Sequence, residues 1–111
     1  MAMDDGVLLR IYMAESALIN NEPGYKYLVR FFLGKGFPGC TVVRGMSGFG
    51  HEHLLKTVDV FQLSLDLPVV IDVVDTRERI MAILPEVEPM IVHGLVMLQD
   101  VRMIRKVPER Q

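Results

Sequence analysis

The feature that most constrains the fold is the order in which two hydrophobic periodicities follow one another along the chain. Segments rich in β-branched and aliphatic residues, which are typical of strands, alternate with segments of helical period. The strand segments are VLLRIYMA (7–14), CTVVRGM (40–46), TVDVFQLSLDLPVVIDVVD (57–75) and LVMLQDVRMIRKV (95–107). The helical segments are YKYLVRFFLGKG (25–36) and DTRERIMAILPEVEPMIVHG (75–94). The resulting order, βαββαβ, predicts an α+β ferredoxin-like sandwich in which two helices cover one face of an antiparallel sheet.

Capping and breaking residues predict where the two helices begin and end. Gly36 stands where a helix ends in a left-handed residue. Asp75 is the predicted cap of the second helix, with Glu78 completing a capping box. Pro85 and Pro89 lie inside this helix, so we expect a kink or break near Leu84, and Gly94 is expected to end it.

Two further signals concern the strands. The third strand segment contains Pro68, which lacks a backbone donor. We expect this segment to form a hairpin with the second strand and to bend near residues 65–68. The alternation of the last strand slips at Gln99 and Asp100, which predicts a β-bulge.

Composition limits both the size of the core and the classes of partner. The 111 residues are predicted to form a single domain, 1–111, and half of them are apolar, which is high for a small soluble monomer. We therefore expect part of the apolar surface to meet other subunits. The formal charge of −2 comes from 12 basic and 14 acidic residues without a run of like charge, so we expect no nucleic-acid partner.

The N-terminal sequence and the single cysteine indicate a cytoplasmic protein. MAMDDGVLLR lacks the basic and then apolar regions of a signal peptide, and Cys40 cannot form an internal disulfide. Apolar runs stay well short of the roughly 20 residues that span a bilayer.

The segment RGMSGFGHEH (44–53) contains the most distinctive candidate site. Backbone amides of Gly45, Gly48 and Gly50 can approach an anion closely because no side chains intervene. The pattern lacks the Lys-Ser/Thr ending of a P-loop, so a hairpin connection is the competing interpretation. His51 and His53 could begin a zinc or copper site, but two ligands do not complete one, and solvated loop histidines are the alternative.

A second candidate lies near the C-terminus, where Arg102, Arg105 and Lys106 occur within five positions. Arginine binds phosphate oxygens through its planar fork, so these cations could contact a phosphate. They could equally protect an edge strand against sheet-to-sheet association. No nucleophile has an evident base close by in sequence, and we expect the protein not to be an enzyme.

Four segments together resemble the PII-like group known as domain of unknown function 190, relatives of the PII nitrogen-signalling proteins. They are LRIYMAES (9–16), GCTVVRGMSGFG (39–50), LPVVIDVVDTRERI (67–80) and HGLVMLQDVRMI (93–104). The resemblance implies a ferredoxin-like homotrimer that binds small ligands between subunits. It matches Gly48, Phe49 and Gly50 to a GFG segment that contacts adenine nucleotide, with His51 following where PII proteins have arginine. It also aligns Arg102 and Arg105 with two C-terminal arginines.

One expected element is missing: PII proteins carry a glycine-rich phosphate loop before the last strand, whereas this chain has only His93-Gly94. The resemblance therefore implies a non-catalytic regulator that senses a small-molecule effector, with ATP, ADP or AMP as candidates. Its loop, residues 45–57, would signal to a partner, for which family analogy suggests a membrane transporter. The alternative is a trimeric scaffold or metal-binding protein of the same fold.

Overall fold

The computed structural model describes residues 2–50, 55–57 and 66–106. Its strands are β1 (Asp4–Ala14), β2 (Leu18–Ile19), β3 (Glu22–Pro23), β4 (Thr41–Arg44), β5 (Ser47–Gly48), β6 (Lys56–Thr57), β7 (Pro68–Asp75) and β8 (Leu95–Met103). Its helices are α1 (Gly24–Gly34) and α2 (Arg77–Val87), and a 3₁₀ turn, Glu88–Met90, follows α2.

The main sheet has four strands in the order β4-β7-β1-β8, and each neighbouring pair is antiparallel. The two strands nearest the chain ends, β1 and β8, are paired, and β7 lies between β1 and β4. This is the strand order of the ferredoxin-like fold. The α+β fold predicted from the order of periodicities is therefore confirmed.

The core lies between one face of this sheet and the two helices. Alternate residues of β1 and β7 are buried because the strand period of two directs them all to one side. They pack with the buried residues of α1 and α2. The fully enclosed members of this core are Val7, Leu9, Ile11, Leu28, Phe32, Val69, Ile71, Val73, Ile80 and Val87.

Helix α1 agrees with its prediction, since it ends at Gly34 and Gly36 follows with φ of +80°. Helix α2 differs in three respects. Its N-cap is Thr76, whose Oγ1 accepts from the Arg79 amide at 3.3 Å, so the prediction of Asp75 is wrong. The helix does not break near Leu84 but continues through Pro85 to Val87, and the end predicted at Gly94 is also wrong. Burial of Val87 in the core holds the last turn in place after the proline.

The predicted bulge in the last strand is wrong as well. All nine residues of β8 pair one to one with β1, from Leu95 opposite Tyr12 to Met103 opposite Asp4. Strand β8 lies at the edge of the sheet, and neither of its faces is fully buried. An edge strand tolerates polar residues on both faces, which explains why its alternation slips without an extra residue.

The predicted hairpin between the second and third strand segments is confirmed. Strand β4 pairs with β7 from Thr41 opposite Asp72 to Arg44 opposite Val69. The Gly45 amide then donates to the Pro68 carbonyl at 2.7 Å, and β5 and β6 continue as a separate two-stranded ladder. The hairpin thus carries the glycine segment, Gly45 to Gly50, to one end of the main sheet.

Candidate functional site

A cavity of about 830 Å³ lies at the end of the sheet where β1 ends and β8 begins. The glycine segment after β4 and the connection before β8 meet there. The residues around it are Tyr12, Met13, Ala14, Ser16, Ala17, Gly48, Phe49, Gly50, Asp66, Pro68, His93, Gly94 and Leu95. Its volume falls within the roughly 300–1,000 Å³ of small-molecule sites.

Three of the predicted ligand residues, Gly48, Phe49 and Gly50, line this cavity. The Phe49 side chain is 66% exposed, so much of its ring surface is accessible to solvent. A Cβ at Gly48 would lie 3.1 Å from Pro68 Cγ, which is closer than most real contacts. Glycine at this position therefore lets the segment lie close against Pro68 at the start of β7.

Gly45 has a different place from the other glycines. It is not among the residues that line the cavity. Its amide donates to the Pro68 carbonyl, and a Cβ here would lie 3.0 Å from Pro68 Cγ. In this chain Gly45 thus holds the glycine segment against the start of β7.

Another part of the wall comes from His93-Gly94, the short connection before β8. Gly94 has φ of +151°, and a Cβ there would lie 2.3 Å from the Tyr12 carbonyl oxygen. Only glycine fits this position without displacement. The connection therefore lies directly on the end of β1, and both of its residues contribute to the cavity.

A pair of polar residues that the sequence analysis did not identify forms a third part of the wall. Ser16 donates its amide to Asp66 Oδ1 and its hydroxyl to Asp66 Oδ2, each at 2.8 Å. The two residues are 50 positions apart in sequence. No local pattern connects them, since Ser16 follows the end of β1 and Asp66 precedes β7.

The described residues that line the cavity are aromatic, apolar and glycine residues together with Ser16, one carboxylate, Asp66, and one imidazole, His93. Lysine and arginine are absent from the described residues that line it. The described part of the wall offers apolar surface to a flat aromatic ring and carboxylate oxygens to neutral donors.

The predicted phosphate contacts lie at the other end of β8. From Leu95, at the cavity, to Arg102 the strand advances roughly 23 Å at 3.3 Å per residue. The Arg105 side chain donates to Asp75 Oδ1 at 2.9 Å, and Arg79 lies 3.1 Å from Asp75 Oδ2. The structure of a single chain therefore separates the arginines from the glycine segment.

The predicted histidines, His51 and His53, lie outside the described residues. Within residues 2–50, 55–57 and 66–106, three or more side chains that could jointly bind a metal do not come together. Cys40 is half-buried, and desolvation together with the charge of Asp72 raises the pKa of its thiol to about 11. Among the described segments, no helix is long and apolar enough to cross a membrane.

Comparison with known proteins identifies sequence relatives over most of the chain. The model of the DUF190 family, described as "Uncharacterized ACR", matches residues 6–103. A UPF0166 protein of Aquifex aeolicus is 36% identical over 97 residues, which cover 87% of this chain and 91% of that protein. A UPF0166 protein of Methanocaldococcus jannaschii is 34% identical over 94 residues, covering 84% and 86%.

Solved structures with a similar fold are those of CPII from Thiomonas intermedia K12. CPII bound to ADP and bicarbonate has a TM-score of 0.66 at 21% identity, with 94% of this chain and 93% of that chain covered. CPII bound to ADP, AMP and bicarbonate, described as a nitrogen regulatory PII-like protein, has a TM-score of 0.60 at 19% identity, with 96% and 100% covered. At this identity the likeness concerns the fold.

Proposed function

The chain belongs to the DUF190 family and has a PII-like fold, and we propose that it is a non-catalytic regulator that binds an adenine nucleotide between the subunits of a homotrimer. The observation that carries the proposal is the cavity in which Gly48, Phe49 and Gly50 face the end of β1. A cavity of this size with an exposed aromatic ring suits a nucleobase.

The base and the ribose occupy the cavity in this proposal. Phe49 supplies a ring on which a purine can stack, and Gly48 and Gly50 let the backbone approach the ligand. The Cβ position of Gly50 is open, with no atom within 4 Å. This half of the ligand is uncharged, in keeping with the absence of lysine and arginine from the described wall.

The phosphates of the ligand must then bind cations that do not line the cavity of the same chain. Arg102 lies roughly 23 Å along β8 from Leu95 at the cavity of its own chain, and Arg105 follows beyond the end of that strand. In a closed ring of identical subunits, one end of a subunit can meet the other end of its neighbour. We assign the phosphates to Arg102 and Arg105 of the neighbouring subunit.

The uncovered face of the main sheet supports assembly into a trimer. The residues that share it are Leu8, Arg10, Tyr12, Thr41, Val43, Val70, Asp72, Val74, Leu95, Met97 and Gln99. Most are apolar, and Val43, Val74 and Leu95 are 55%, 36% and 57% exposed. Arg10 donates two hydrogen bonds to Asp72, at 2.7 and 2.8 Å, which satisfies the main charges of this face. An apolar face with its charges paired is suited to burial against other subunits.

The proposal extends to signalling through the loop at residues 45–57. Met46 and Leu55 are 75% and 70% exposed, so this loop presents apolar side chains that a partner protein can contact. A ligand at Gly48 to Gly50 touches the loop directly and can therefore change its preferred conformation. The proposed partner is a regulated protein such as a membrane transporter.

The test is calorimetric titration of the full-length protein with ATP, ADP and AMP, after light scattering has established its mass. ADP is the first ligand to try because both CPII structures contain it. Phe49→Ala should weaken binding about tenfold or more, because a base–aromatic stack contributes roughly 1–3 kcal/mol.

The matched control is Leu33→Ala, which removes another exposed apolar side chain from α1, away from the cavity. It should bind as the wild type does. A trimer that binds none of the three nucleotides would overturn the regulator proposal and favour the scaffold interpretation. A monomer would remove the composite site altogether.

A further inference from the structure

Asp66 is held in a fixed orientation at the cavity wall. Both of its carboxylate oxygens accept hydrogen bonds from Ser16, one from the amide and one from the hydroxyl. Two hydrogen bonds to one partner fix both the position and the tilt of the carboxylate plane. Asp66 is only partly buried and lines the cavity, so ligand can reach the carboxylate.

The remaining hydrogen-bonding capacity of Asp66 determines what kind of group it can bind. An ionised carboxylate accepts about four hydrogen bonds, and Ser16 supplies one to each oxygen. Each oxygen therefore retains acceptor capacity, and the carboxylate contributes no donor. A ligand group that binds both oxygens at once presents two donors side by side.

We propose that Asp66 is a specificity residue that binds the vicinal 2′- and 3′-hydroxyls of a ribose, so that the ligand is a ribonucleotide rather than a deoxyribonucleotide. This inference rests on the proposed function, since it assumes that a nucleotide enters the cavity. A pair of adjacent hydroxyls can donate one hydrogen bond to each oxygen. A single exocyclic amino group presents both of its hydrogens from one nitrogen, which matches the two oxygens less well.

The charge of Asp66 also sets the direction of the ligand. A carboxylate repels phosphate oxygens, and Asp66 is the one carboxylate among the described lining residues, which include neither lysine nor arginine. The phosphates should therefore point away from Asp66 and out of the cavity. This direction agrees with phosphate contacts from the arginines of a neighbouring subunit.

The experiment compares ADP with 2′-deoxy-ADP and 2′,3′-dideoxy-ADP by calorimetry on three proteins: the wild type, Asp66→Asn and Ser16→Ala. The wild type should bind dideoxy-ADP about 100- to 10,000-fold more weakly than ADP, because two charge-assisted hydrogen bonds are lost. Asp66→Asn should bind ADP about as weakly as the wild type binds dideoxy-ADP, and it should no longer distinguish the three ligands. Ser16→Ala keeps the carboxylate but frees one oxygen, so it should retain part of the discrimination.

Glu78→Gln is the matched control, because it neutralises an exposed carboxylate on α2 that does not line the cavity. It should discriminate among the ligands as the wild type does. Equal binding of ADP and dideoxy-ADP by the wild type would overturn the ribose assignment while leaving the proposed function intact. Full discrimination by Asp66→Asn would overturn the role of Asp66 alone. Absence of any ADP binding by the wild type would overturn the proposed function and this inference with it.

Discussion

Replacement of Gly94 by alanine tests the contact that forms one wall of the cavity. Gly94 precedes β8 and has φ of +151°, a region that residues with a Cβ rarely adopt. A Cβ built at this position lies 2.3 Å from the Tyr12 carbonyl oxygen, whereas real Cβ atoms essentially never approach another atom closer than 3.0 Å. The two chain segments must therefore separate by at least 0.7 Å, the difference between these distances.

The cost follows from what this separation disturbs. Tyr12 pairs with Val70 on β7 and with Leu95 on β8, so its displacement affects both neighbours in the sheet. Forcing an extra carbon into a packed site costs about 1–3 kcal/mol. A strained backbone conformation adds about 1–3 kcal/mol. We expect Gly94→Ala to lower the free energy of unfolding by roughly 2–6 kcal/mol and the Tm by roughly 10 °C or more.

Thermal and urea unfolding followed by circular dichroism measure this change, with Gly34→Ala as the matched control. Gly34 is the last residue of α1, and a Cβ there meets no atom within 4 Å. Alanine at this position should leave the Tm unchanged or raise it, because it reduces the entropy of the unfolded chain. A Tm of Gly94→Ala within about 2 °C of the wild type would refute the reasoning from the close contact with Tyr12.

Two further predictions concern ionisable groups. Arg105→Ala should lower the free energy of unfolding by about 1–2 kcal/mol in the wild type, because it removes the hydrogen bond to the buried Asp75 carboxylate. In an Asp75→Asn background the same substitution should lower it by little. Urea unfolding measures both changes, and equal losses in the two backgrounds would contradict this prediction. Cys40 should react with iodoacetamide about 100-fold more slowly at pH 8 in the native protein than in urea, because burial and Asp72 raise the pKa of its thiol to about 11. The rate in the native protein should rise with pH up to about pH 11. Similar native and denatured rates at pH 8 would show that the thiol is not shielded.

The main features of the fold were predictable because each rests on a local signal that burial reinforces. The alternation in β1 and β7 corresponds to one buried face, and Gly36 has the left-handed conformation expected after α1. The cap of α2 was not predictable, since Asp75 and Thr76 are adjacent and both are good capping residues. Tertiary contacts decide between them: Asp75 is buried against Arg79 and Arg105, which leaves Thr76 to cap the helix.

The candidate site was predictable only where one segment supplies it. Gly48 to Gly50, which line the cavity, belong to one segment that is visible in the sequence, whereas Asp66 and Ser16 meet through the fold across 50 positions of sequence. A serine and an aspartate that are far apart in sequence form no local motif, so the sequence alone does not indicate that they are in contact. The short His93-Gly94 connection was visible in the sequence as a missing loop, yet its close contact with β1 became clear only from the structure.

A mixing experiment tests whether the two separated halves of the site belong to different subunits. Phe49→Ala subunits retain Arg105, and Arg105→Ala subunits retain Phe49, so each variant trimer alone lacks intact sites if every site needs both residues. After the two proteins are unfolded together and refolded, random assembly should place an intact cavity beside an intact Arg105 in about one cleft in four. Calorimetry should then detect wild-type affinity for ADP at about a quarter of the sites. If Phe49 and Arg105 act within the same chain, mixing restores none, because no single subunit carries both residues. The absence of recovery in a mixed trimer would therefore contradict the assignment of the phosphates to the neighbouring subunit.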